Sequence, residues 1–184
     1  METLKNKIWF TYTARIEAYR RLKNYSFWAS LLLCLYSLAT VVCSIISISL
    51  PKLLGKHTDT LLIVLSVISF VFSLLIVSYK FDDRALAMKE NYLDLQRLYE
   101  NLKRDASGDI DKYIDQYLNI LERNENHNII DDITNRMNQK TSREVSNKES
   151  LYYYIYIFSK FIFITAVLTI PLLLIYLSIL SLYK

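Results

Sequence analysis

Between Phe27 and Leu50 no side chain carries a charge. At about 1.5 Å per residue, a helix over that run reaches roughly 36 Å, more than a bilayer's hydrocarbon core of about 30 Å. Hydrocarbon offers the backbone no hydrogen-bond partner, so such a run must close its own amide bonds as a helix. Leu61–Tyr79 is a second uncharged run and Phe161–Tyr183 a third. The chain is 53% hydrophobic and yet 22% charged, and these figures are compatible only because the two classes are segregated along it. A cleaved signal peptide fits the first run poorly: the stretch before it is long, the apolar core is long, and no small-x-small site follows.

The expected fold is an all-α membrane protein. Residues 1–26 read as an amphipathic helix and 27–79 as a two-helix transmembrane hairpin. Residues 80–150 read as a long cytoplasmic helical extension, and 151–184 as a third, C-terminal transmembrane helix. That last helix opens on an aromatic belt, Tyr152–Tyr156, suited to the headgroup level. Lys160 follows, placed to snorkel to that interface or to face a pore. Pro171 lies inside the run, where neighbours must satisfy the carbonyl it frees.

Orientation follows from cations near the membrane. Six precede Phe27 (Lys5, Lys7, Arg15, Arg20, Arg21, Lys23), two lie in the link 51–60 (Lys52, Lys56) and twelve lie within 80–150. The positive-inside rule places the N-terminus and the middle segment in the cytoplasm, and Lys184 outside. Arg15, Arg20, Arg21, Lys23, Lys80 and Arg84 are then expected at the membrane surface, each worth about 1 kcal/mol against anionic lipid. Arg15 has a second expected role, bonding an acid such as Asp82 or Asp83. A net charge of only +4 argues against nucleic-acid binding.

Past the second run, Phe81, Ala85, Met88, Tyr92, Leu95, Tyr99 and Leu102 alternate in steps of four and three. That heptad seam predicts one rod, continuous with the membrane helix and ending near 105, able to pack within the chain or to join copies of it. "DASGD" at 105–109 is the expected stop. A helix over 110–124 follows, with Ile110, Tyr113, Ile114, Tyr117, Leu118 and Leu121 on one face. Residues 125–150 are polar and weakly periodic, a helix or a linker. Ile8, Tyr12, Ile16 and Tyr19 form a stripe expected to pack on the rod.

Hydroxyls line the membrane helices: Ser30, Ser37, Thr40, Ser44 and Ser47 on the first, with Cys34 among them, and Ser66, Ser69 and Ser73 on the second. Small residues let helices approach closely, and hydroxyls can equally line a water-filled path. No acid or base sits within the first two runs, which argues against proton-coupled transport. Cys34 and Cys43 read as small apolar residues and His57 and His127 as isolated. Two glycines exclude a phosphate-binding loop, and no metalloprotease or nucleophile-elbow motif occurs. The reading is therefore non-enzymatic, with no cofactor and no metal.

The stretch "WFTYTARIEAYRRL" resembles the entry motif of the SLATT family, the SMODS- and SLOG-associating two-transmembrane effectors. Trp9, Thr11, Ala14, Arg15, Ile16, Ala18, Arg21 and Leu22 carry the resemblance, which extends over roughly 8–121. It implies a bacterial anti-phage membrane effector, co-encoded with a nucleotide-signalling enzyme, a nucleotide sensor or a reverse transcriptase. Such an effector oligomerises and permeabilises or depolarises the inner membrane to arrest or kill the cell. The contrasting expectation is a membrane-anchored scaffold that recruits a cytoplasmic partner and conducts nothing.

Overall fold

A computed structural model describes residues 2–50, 53, 56–105, 109–139 and 143–182. Six helices follow one another: α1 (Glu2–Ser49), α2 (Thr58–Tyr79), α3 (Phe81–Arg104), α4 (Ile110–Glu122), α5 (Ile129–Asn138) and α6 (Asn147–Leu182). α1 contains neither glycine nor proline, so nothing interrupts its ladder of amide bonds. α6 stays helical through Pro171, which is buried. The expected stop at 105–109 falls in part, at 106–108, outside the described residues, as do Lys52 and Lys184.

The rod expected to run unbroken from the second membrane helix is interrupted. Lys80 takes the left-handed conformation, φ 47° and ψ 45°, and separates α2 from α3. A non-glycine residue there costs about 1–2 kcal/mol. The heptad pattern could not reveal this, because neither glycine nor proline marks the break.

The chain forms two compact units. One comprises residues 1–25 and 81–155, the other 26–80 and 156–184. The first is a helical bundle. The N-terminal part of α1 lies at its centre, with Thr13, Ala14, Arg15, Glu17 and Ala18 all buried. Ile8 packs with Leu95, Leu98 and Leu102 of α3 and Ile120 of α4. One stratum along, Ala18 and Leu22 pack with Ala85 and Met88, and Phe81 closes on them. Tyr12 meets Tyr99, and Tyr19 meets Tyr92.

Every residue of the heptad seam is thus turned into its own chain's core. Within the single chain, Phe81, Ala85, Met88, Leu95, Tyr99 and Leu102 pack in the clusters formed with α1 and α4, and Tyr92 meets Tyr19. α4 also presents a different face from the one the pattern suggested. Tyr113, Tyr117 and Ile120 point inward, while Ile110, Ile114 and Leu118 remain exposed.

Among its described residues the stretch 125–150 is helical in part. It holds α5 and the first turn of α6, and α5 buries Ile130, Asp131, Ile133, Asn135 and Arg136. Its polarity is real, but Asp131, Asn135 and Arg136 face inward beside Ile130 and Ile133.

The second unit comprises the apolar parts of α1 and α6 together with α2. Among the described residues, three helices are long and apolar enough to cross a membrane, and at most 11% of each apolar stretch is buried by the rest of the chain. α1 and α6 are pinned to each other by polar groups. Tyr36 donates its hydroxyl to the Val167 carbonyl (3.0 Å), and Cys43 Sγ lies 3.1 Å from the Ser178 hydroxyl. Ala39 and Cys43 are the small buried residues that permit this approach.

Candidate functional site

The cations before the first apolar run sort into three environments. Arg20 and Lys23 are exposed and pair locally, with Glu17 at 2.7 Å and with Asp82 at 2.8 Å. The Lys23–Asp82 pair is solvated on both sides and contributes little, whereas Arg20 pairs with a Glu17 that is itself buried. Arg84, half-exposed, makes a two-armed contact with Glu125 (2.9 and 2.8 Å). Lys80 sits exposed at the helix break.

Arg21 faces inward instead of toward lipid. Its Nε and Nη2 donate to the two carboxylate oxygens of Asp131 at 2.8 and 3.1 Å, and its guanidinium lies 5.6 Å from the Tyr25 ring centre. Burial pulls the pKa of Arg21 down, but the hydrogen bond and charge of Asp131 outweigh it and the net shift is upward. Asp131 also accepts the Asn128 backbone N–H (2.8 Å) and so caps α5 while holding α1.

At the other end of α5, Arg136 is buried between two helices. It donates to Asp132 (3.1 Å) and, through both terminal nitrogens, to Glu149 in the first turn of α6 (3.1 and 2.7 Å). The hydrogen bond from Arg136 is the largest cause holding the Glu149 carboxyl down at about 2. Between these two ion pairs, Asn135 donates to the Thr13 hydroxyl at 2.9 Å, wholly inside the bundle.

Arg15 is the third case, and here the surface expectation fails outright. Its side chain is 1% exposed, and neither Nε nor Nη1 has a hydrogen-bond partner. The expected bond to Asp82 or Asp83 does not form; Asp82 accepts from Lys23. Desolvation lowers the Arg15 pKa, and Tyr117 opposes that. Arginine nevertheless stays charged, and an uncompensated buried ion costs several kcal/mol. His127 is close enough to feel that charge. Burial first, and Arg15 second, push its imidazole pKa below 6.5, while Asp132 and Asp131 pull the other way. Its Nδ1 is buried without a partner.

The depressed His127 pKa has a measurable consequence. The unfolded chain binds a proton at His127 before the folded bundle does, so this group's contribution is intact above about pH 6.5 and is lost as pH falls through the folded value. Thermal melts of the bundle should move to lower temperature on mild acidification below that point, and less so in His127→Gln. The Glu149 contribution is lost only lower, between 4.5 and about 2, so the two windows are separable. An equal downward shift in both proteins would assign the effect elsewhere.

The hydroxyl-bearing residues of the spans are placed unevenly. On α1, Ser30, Ser37 and Ser44 are exposed along with Cys34, and Thr40 and Ser47 are half-buried. On α2, Ser66 is exposed and Ser69 and Ser73 are half-buried. Within one chain these hydroxyls turn back on their own helix. Thr40 donates to the Tyr36 carbonyl, Ser44 to Thr40, Ser47 to Ser44, Ser66 to Ile63 and Ser73 to Phe70, all at 2.7–2.8 Å. Such bonds allow a hydroxyl to face lipid at little cost and leave its oxygen open to a further donor. Among the described residues, no group of His, Cys, Asp and Glu could hold a metal ion.

Several of these residues escaped the sequence reading. Asp131, Asn135, Arg136 and Glu149 sat in the stretch read as helix or linker. Asn128 followed three residues later by Asp131, with Ile130 and Ile133 behind, was the available helix-start signal. His127 carries no such signal, since only the fold brings it to Arg15.

The positions that carry the family resemblance are the inward face of α1. Ala14, Arg15, Ala18 and Leu22 are buried, Arg21 holds Asp131, and the Thr11 hydroxyl lies 2.8 Å from that of Tyr117. No curated protein and no solved structure matches the chain. A family model does, over residues 1–177, and so reaches well into the third apolar run although the family's description counts two spans. On that match, which takes in the α1 motif and both compact units, the chain belongs to the SMODS and SLOG-associating 2TM effector domain family 5.

Proposed function

We propose that this membrane effector acts in bacterial anti-phage defence by assembling in the inner membrane and breaching it when a partner signals. The observation that carries the reading is the state of the spans. Three apolar helices leave most of their surface uncovered by their own chain, and exposed hydroxyls punctuate two of them. A face of small hydroxylated residues suits close approach to a second copy and can take water as a hydrogen-bond partner once copies surround a path. The partner is a co-encoded nucleotide-signalling enzyme, sensor or reverse transcriptase, a reading supported by the family's description as SMODS- and SLOG-associating. The helical bundle then lies in the cytoplasm with the N-terminus, and the C-terminus lies outside.

The test is membrane potential in bacterial cells, read with a voltage-sensitive dye. The protein is induced alone and then with its neighbouring gene products. Prompt depolarisation on co-induction is the expected outcome. An unchanged potential under both conditions, with the protein confirmed in the membrane, would favour a non-conducting scaffold that recruits a cytoplasmic partner.

A further inference from the structure

We infer that the interior of the helical bundle contains a binding site for a small oxyanion, a phosphoryl or carboxylate group, between Arg15 of α1 and His127 in the link before α5. The bundle supplies its own comparison. Three arginines turn into it, Arg15 and Arg136 buried and Arg21 largely so, and two of them are matched. Arg21 holds the carboxylate of Asp131, and Arg136 holds Asp132 and Glu149. Arg15 is the most buried of the three, yet its Nε and Nη1 meet no acceptor. Chains that bury arginine for packing pair it, as this one does twice.

The neighbouring group fits the same ligand. His127 presents a buried, unpartnered Nδ1 within the electrostatic reach of Arg15. In its neutral form it can donate from Nδ1 to an oxyanion that Arg15 has already neutralised, and it adds no second positive charge. On the α4 side, the Tyr117 hydroxyl lies 2.8 Å from that of Thr11. His127 lies on the one non-helical wall, residues 123–128, which is tied down by the Arg84–Glu125 pair and by Asn124 donating to the Ala87 carbonyl at 3.0 Å. The inference stands apart from whether the spans conduct.

The test uses the full chain in maltoside micelles, which carry no phosphate. The sequence has two histidines, and His57 belongs to the other unit, so it serves as an internal control. The imidazole nitrogen NMR signals are followed while inorganic phosphate or acetate is added at constant chloride-balanced ionic strength. In a third arm phosphatidic acid is mixed into the micelles. The expected result is a saturable shift of the His127 signals with at least one probe, no shift at His57, and no response in Arg15→Met. Arg15→Lys, which keeps the charge without the planar fork, should respond more weakly and covers the case in which Arg15→Met does not fold. Response to phosphate or acetate names a soluble ligand; response to phosphatidic acid alone names a lipid headgroup. Absence of a saturable His127 shift with all three probes, or an equal shift in Arg15→Met or Arg15→Lys, would overturn the inference.

Discussion

Arg21→Met is expected to destabilise the helical bundle by about 3–5 kcal/mol, the usual cost of stranding one partner of a buried ion pair. The stranded group is Asp131, whose side chain is 2% exposed and whose two oxygens lie on the Arg21 guanidinium. Methionine fills most of the arginine's volume, so the loss reports charge and hydrogen bonding more than a cavity. Chemical denaturation followed by circular dichroism in detergent measures it. Hydrogen exchange should show α5 losing protection first, because Asp131 also caps that helix. Adding Asp131→Asn removes the bare charge, and the double variant should be more stable than Arg21→Met alone. Lys23→Met, two residues away, exposed and paired with an equally exposed Asp82, should change stability far less. Equal effects at the two positions would show that Arg21 acts at the lipid surface after all.

Replacing Ser37, Ser44, Ser66 and Ser73 by Leu together is expected to return the membrane potential of co-induced cells to that of uninduced cells. Ser37, Ser44 and Ser66 are exposed in the single chain, and Ser73 is half-buried. Leucine at such sites is compatible with lipid, so insertion and the helical bundle should survive. What changes is the surface: a hydroxyl that can bond to water becomes a branched alkyl group that excludes water and holds backbones apart. Partner co-purification is the accompanying readout. Lost depolarisation with retained partner binding locates the activity in the hydroxyl faces. Retained depolarisation would remove these serines from the conducting path.

The large divisions of this chain are readable because they rest on strong, local signals. Uncharged runs mark the spans, and the steps of four and three from Phe81 to Leu102 mark the inner face of α3, whatever packs there. Two kinds of feature were not readable. The Lys80 break is a backbone choice at a residue with no special liking for positive φ, so nothing in the side-chain pattern announces it. Part of the bundle's interior is polar, and hydrophobic periodicity is blind to the side of a helix such as α5 that turns Asp131, Asn135 and Arg136 inward. The same blindness misassigned Arg15 and Arg21. Next to a membrane run, cations read as lipid contacts, and only a partner more than a hundred residues away reveals that Arg21 belongs to a core.

The separation between those partners sets an order of events during synthesis. Arg21 meets Asp131 across 110 residues and Thr13 meets Asn135 across 122. At ribosomal rates of about 5–20 residues per second, the face of α1 that α5 will cover waits roughly 5–20 s for its complement to be made. Within that interval the first two apolar runs have already left the ribosome. Each nascent chain therefore commits to the bilayer while its N-terminal segment is still open to chaperones, to early-arriving partners and to other unfinished copies on the same polysome.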